Sequence, residues 1–172
     1  TIDKEITDKL NYRYFANSNQ LKKVRDAYLR ENPNDQFKDV NIEGENDYVY
    51  DDNGNLTKDL NKYSTNIIYN HLNLPTRVVF DYGGIENQQN NGVISGEIQY
   101  VYDATGVKLS KNVVQNSVTQ NIRPELTKYT GNYIYKHNAL QAKDELQFFN
   151  HTEGYVQPTD DTANPFEYVY QY

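Results

Sequence analysis

The sequence predicts an all-β fold, with tandem antiparallel β-hairpins forming a curved open sheet. Three observations carry that prediction. The chain of 172 residues holds 17 Tyr and 6 Phe although its apolar content is only 37%, and tyrosine suits a strand whose ring packs on neighbours while its hydroxyl reaches water or a partner. Aromatic and β-branched residues alternate with period two in short runs. Polar turns rich in Asn, Asp and Gly separate these runs, so the same unit recurs along the chain.

The two clearest copies are Tyr48-Val49-Tyr50-Asp51-Asp52-Asn53-Gly54-Asn55-Leu56 and Tyr100-Val101-Tyr102-Asp103-Ala104-Thr105-Gly106-Val107-Lys108-Leu109. Each reads as strand, tight turn, strand. Gly54 and Gly106 stand where a positive φ would push a Cβ into the backbone, and Asn53-Gly54 predicts a type I′ hairpin turn. Weaker copies follow the same order of aromatic residue, polar turn and apolar residue. They begin at Tyr12-Arg13-Tyr14, Ile67-Ile68-Tyr69, Tyr133-Ile134-Tyr135 and Phe148-Phe149, and a last strand starts at Phe166-Glu167-Tyr168-Val169-Tyr170. Residues 21–29 place Leu21, Val24, Ala27 and Tyr28 at helical spacing, but a return strand from Leu21 to Val24, paired with Tyr12 to Phe15, fits the repeat better. Residues 30–46, 85–91 and 157–165 are polar and read as loops inserted between hairpins.

Composition narrows the functional classes. Seventeen basic against 24 acidic residues give a net charge of −7, and no basic stripe is present to neutralise phosphates, which argues against nucleic-acid binding. No apolar run approaches the roughly 20 residues of a membrane span, so membrane insertion is not expected. Cysteine is absent, which removes disulfides and thiolate metal sites. The sequence starts at Thr1 and contains no Met. It reads as a piece of a longer polypeptide, a single run of repeats over residues 1–172.

With these residues laid out, the chain resembles the YD-repeat, or Rhs-repeat, proteins. Their signature is a Tyr-Asp dipeptide, an Asn-Gly or Thr-Gly turn and an apolar residue, matched by Tyr50-Asp51-Asp52-Asn53-Gly54-Asn55-Leu56 and Tyr102-Asp103-Ala104-Thr105-Gly106-Val107. The stretch from Asn53 to Lys62, with Ile68-Tyr69-Asn70-His71-Leu72-Asn73-Leu74-Pro75, is similar to the version found in Bacteroidetes. The resemblance implies a segment of a spiral β-shell, secreted or at the cell surface, that encloses or carries a C-terminal toxin or effector domain. The implied partners are the rest of the shell, its cargo and the secretion machinery or cell-surface partners. The resemblance also implies that catalysis lies elsewhere, in the cargo and in a self-cleaving core whose Asp-Pro motifs have no match here. Tyr48, Tyr50, Tyr100, Tyr102, Tyr133, Tyr135 and Tyr168 would hold the strands of the wall, with Asp51, Asn53, Gly54, Asp103 and Gly106 setting its turns. Asp161-Thr162-Ala163 is similar to the short O-glycosylation motif of exported Bacteroidetes proteins.

Several residues invite a chemical reading. His71, His137 and His151 each follow a repeat aromatic by two positions and share a register, but nothing in their spacing makes them converge on a metal; they read as polar entries to turns. Asp51-Asp52-Asn53-Gly54-Asn55 has the flavour of a calcium loop. Counting back from Gly54 puts Val49 at the first ligand position, and Leu60 stands where a bidentate Glu is required. No nucleophile elbow or phosphate loop is present, and no cofactor is expected. The competing function is adhesion, in which tyrosines exposed on one face bind carbohydrate or peptide. Rings exposed in a contiguous patch would favour binding, and rings interleaved between strands would favour a scaffold.

Overall fold

A computed structural model describes residues 9–26, 37, 46–82, 93–117 and 121–170. The loops expected at 30–46 and 85–91 lie almost wholly outside those residues, as do 27–29 and 171–172. The chain divides into two compact units, Thr1–Gly83 and Gly84–Tyr172. Both are built of antiparallel strands laid side by side in sequence order, and the sheet is open. The fold is all-β, as the tyrosine-rich alternation predicts.

In the first unit, β1 (Leu10–Tyr14) pairs with β2 (Leu21–Asp26). Leu21 to Val24 is therefore the return strand of Tyr12 and Tyr14, with Tyr12 opposite Val24. These two strands form a sheet of their own; β3 (Tyr48–Tyr50) then pairs with β4 (Leu56–Asp59), β4 with β5 (Ser64–Tyr69) and β5 with β6 (Pro75–Asp81). A single 3-10 turn, Leu60–Lys62, joins β4 to β5. Asp59 caps it by accepting from Lys62 N, and Tyr63 closes it in the left-handed region at φ 55°.

Among the described residues the second unit is a seven-stranded meander: β7 (Val93–Tyr102), β8 (Lys108–Ser117), β9 (Glu125–Thr130), β10 (Tyr133–Asn138), β11 (Lys143–His151), β12 (Gly154–Pro158) and β13 (Phe166–Tyr170). Every consecutive pair is antiparallel.

The core is thin and polar. Among the described residues, Val24 is the one fully buried hydrophobic side chain, whereas Lys23, Asp47, Asp59, Asn61, Ser64 and Thr127 are buried polar groups. Such groups persist only where hydrogen bonds replace water. Asp47 shows how this is done. Its carboxylate accepts from Val24 N at 2.7 Å and from Asn61 Nδ2 at 3.1 Å, and Lys23 Nζ lies 3.9 Å away. Its backbone N–H donates to Lys22 O and its carbonyl accepts from Leu60 N. One buried aspartate thus ties the β1–β2 hairpin to β3 and to the turn after β4.

Candidate functional site

Three loops share one geometry and show what the repeat encodes. In 51–55, Gly54 N donates to Asp51 O at 3.0 Å and Asp51 N donates to Asn55 O at 2.9 Å. The Asp51 carboxylate accepts from Asn53 N and Asn55 N at 3.0 and 2.8 Å. In 103–107 the same bonds join Asp103, Gly106 and Val107, with Thr105 N and Val107 N both donating to Asp103 Oδ1. In 70–74 the amide oxygen of Asn70 replaces the carboxylate, accepting from Leu72 N and Leu74 N.

This geometry corrects the expected type I′ turn. Gly54 and Gly106 have φ of 85° and 90°, but Asn53 is not among the positive-φ residues, whereas type I′ requires positive φ at both central positions. The loop is a type I turn closed by one left-handed residue. The Asp51 side chain favours it by gathering two N–H groups that a two-residue turn would leave elsewhere. Asn73 fills the left-handed position in 70–74 at φ 57°, a role asparagine tolerates better than most residues. Just beyond each loop the return strand carries one extra residue. Lys22, Thr57, Thr76 and Leu109 all fall between paired neighbours. The Thr57 and Thr76 hydroxyls donate back to Val49 O and Ile68 O at 3.1 and 3.2 Å.

Tyrosines link one hairpin to the next in the first unit. Tyr50 Oη donates to Leu21 O at 3.0 Å, and Tyr69 Oη donates to Leu56 O at 2.8 Å. Leu21 and Leu56 are the partners of Tyr14 and Tyr50 in the preceding hairpins, so the bond repeats at an equivalent place. Burial raises the phenol pKa of both Tyr50 and Tyr69. The turns stack as well, because Asn73 Oδ1 accepts from Asn55 Nδ2 at 2.8 Å and from Asn53 Nδ2 at 3.2 Å.

The other expected wall residues are placed differently. Tyr48 is half-buried, and burial raises its phenol pKa. Tyr100 lies 6.3 Å from Tyr102 and under Lys108 Nζ at 4.7 Å. Tyr135 stands opposite Lys128 and Leu146. Tyr133 and Tyr168 are exposed at 44% and 36%. They share a face with Phe149, since Tyr133 pairs with Phe149, Phe149 with Val156, and Val156 with Tyr168. Rings meet along this row, Tyr133 on Phe149 at 5.1 Å and Tyr168 on Tyr170 at 4.6 Å.

The histidines do not gather, and His137 lies within a strand rather than at the entry to a turn. His71 lies in the 70–74 turn, while His137 is within β10 and donates from Nδ1 to Asp144 Oδ1 at 2.8 Å, a carboxylate that also holds Lys128 Nζ at 2.7 Å. His151 ends β11, 2.7 Å from Tyr168 Oη. Among the described residues no three His, Cys, Asp or Glu side chains come together to hold a metal. Asp161 accepts from Ala163 N at 2.8 Å, placing Thr162 in an exposed turn.

The opposite face of the second unit carries a feature the repeat pattern does not reveal. A concavity of about 810 Å³ lies over β8 to β12. Its floor is the cross-strand row Tyr129–Ile134–Phe148, joined by the Phe148–Tyr155 ring contact at 5.5 Å. Lys111, Thr127, Lys136 and Glu125 line one end; Asn150 and Gln157 line the other.

No family model matches the chain, and no curated protein or solved structure matches it either.

Proposed function

We propose that the chain is a non-catalytic wall segment of a secreted or cell-surface YD-repeat (Rhs-type) shell, built to carry or enclose a cargo domain of the same polypeptide. The observation that supports it is the repeated bond from Tyr50 to Leu21 O and from Tyr69 to Leu56 O. A hydroxyl that reaches the previous hairpin at the same position each time lets hairpins be added without a new design for each. The thin polar core supports the same reading. A sheet with Val24 as its fully buried apolar residue among those described gains little from burial at about 25 cal/mol per Å² and depends on lateral bonds and neighbours. The partners are then the remainder of the shell and its cargo. An isolated 172-residue chain should show weak structure, or structure only on self-association; far-UV circular dichroism with a melt followed at several concentrations tests this. A cooperative, concentration-independent transition would count against the wall reading.

A second reading, an adhesion module, is favoured by the exposed rings of Tyr133, Tyr168 and Tyr170, with half-buried Phe149 on the same face. Contiguous exposed rings mark interaction surfaces more often than packing.

A further inference from the structure

We infer that the concavity over β8–β12 is a binding site for a neutral oligosaccharide. The inference does not depend on the shell reading, and it concerns the face opposite the exposed Tyr133–Tyr168 row. Three features argue for sugar. The floor carries the rings of Tyr129, Phe148 and Tyr155, on β9, β11 and β12, and aromatic rings suit the C–H side of a pyranose as they suit other apolar surfaces. Planar amide groups, Asn150 and Gln157, stand beside that floor, each able to donate and accept at once, as a pair of neighbouring hydroxyls requires; Gln157 Nε2 already donates to Glu167, which leaves its second N–H and its oxygen. The lining runs obliquely across five strands, and at 4.8 Å per step that is about 19 Å, room for several sugar units rather than one.

Other ligand classes fit less well. Lys136 Nζ and Glu125 Oε1 face each other at 3.2 Å, which leaves Lys111 as the surplus charge of the lining, too little for a polyanion. An extended peptide would need a free strand edge to pair with, but β9, β10 and β11 are each paired on both sides. The concavity is open, so a small apolar ligand would keep much of its surface in water.

The test is a titration of the isotopically labelled 172-residue chain, at a concentration where circular dichroism shows β structure, followed by two-dimensional NMR. The probes are neutral hexasaccharides of β-1,4-linked glucose, β-1,4-linked xylose and α-1,4-linked glucose. At least one should shift the amides of Tyr129, Phe148, Asn150 and Tyr155 saturably, and the Asn150→Ala/Gln157→Ala variant should bind about tenfold more weakly, as expected for loss of one or two hydrogen bonds. The same spectra report whether the variant is folded, and Asn150→Ala alone, on an exposed side chain, provides the fallback. The inference is overturned if none of the three probes shifts these residues, or if the variants bind like the parent. Loss of binding on Tyr133→Ala/Tyr168→Ala instead would overturn this site while supporting the adhesion reading of the opposite face.

Discussion

The Tyr69 hydroxyl donates to the carbonyl of Leu56 at 2.8 Å, and Leu56 is the residue that pairs with Tyr50, itself bonded to Leu21 O in the hairpin before. The ring of Tyr50 also meets Phe15 edge-on at 6.3 Å. Each tyrosine therefore serves two hairpins, its own by backbone pairing and the previous one by its side chain. Tyr50→Phe and Tyr69→Phe keep the ring and remove only the bond. Each should lower stability by about 1 kcal/mol, the usual net worth of such a hydrogen bond, and loss of both should separate the hairpins in hydrogen exchange. Melting temperatures equal to the parent would show that the hydroxyls contribute nothing.

The left-handed loop position makes a second, two-sided prediction. Gly54→Val forces φ of 85° on a β-branched residue and should destabilise by about 1–3 kcal/mol, and Gly106→Val likewise. Ala142 holds φ of 50° in an exposed turn, so Ala142→Gly should stabilise, by about 0.5–1 kcal/mol. Chemical denaturation of the three variants checks both signs.

The turn carboxylates predict a pH dependence. The Asn55 side chain, followed by backbone N–H groups of Asn55 and Asn53, holds Asp51 below its ordinary value of about 3.8; for Asp103 the first cause is the Thr105 hydroxyl, then Val107 N. A carboxylate with a lowered folded-state pKa contributes stability that is complete above the unfolded value and is lost as pH falls toward the folded one. Melts between about pH 2 and 4 should therefore slope upward with pH. Asp51→Asn/Asp103→Asn should flatten that slope while keeping the turn, because Asn70 already performs the same task in the third loop.

Asp59 works in the opposite sense. Burial raises its pKa despite Lys62, so its protonated form is favoured in the fold, and the stability tied to that form fades as pH rises through the raised value. Asp59→Asn retains an acceptor for Lys62 N and should melt no lower than the parent at pH 7. A clear loss of stability there would show that the charge itself is needed.

Asp47 is the most exacting position. Asp47→Ala strands Val24 N and Asn61 Nδ2 without an acceptor and leaves Lys23 beside a void. Breaking a buried charged cluster of this kind costs about 3–5 kcal/mol. Exchange protection of β1 and β2 should collapse first, since these strands are tied to β3 through that carboxylate.

The hairpins were readable because a strand, a turn and a return strand are all local, and Tyr-Val-Tyr before a polar loop states them within nine residues. The turn type was not, since Asn53-Gly54 is compatible with either a two-residue or a longer loop, and the side chain of Asp51 decides between them. Asn73 made a full copy of the loop read as a weaker one because it does the work of glycine without being one. Asp47 carried no mark: Gln99 and Glu167 stand at the same place before the other Tyr-Val-Tyr runs, and a polar residue there gives no hint of complete burial. The concavity over β8–β12 was invisible for a different reason, being assembled from alternate residues of five strands that a single run of sequence never shows together.

The extra residue after each loop has a consequence for how such a chain tolerates change in length. Thr57 sits unpaired between Leu56, opposite Tyr50, and Lys58, opposite Val49. Remove it and Leu56 and Lys58 become neighbours while keeping Tyr50 and Val49 as partners, so the ladder turns regular and Asp59 stays opposite Tyr48 on its buried side; insert a residue between Lys58 and Asp59 instead and Asp59 is carried to the other face. The extra residue is thus the place where a return strand can lose one codon without a frame error, whereas a gain further along the strand is one, and the polar stretches between hairpins can lengthen without disturbing the parity of any strand.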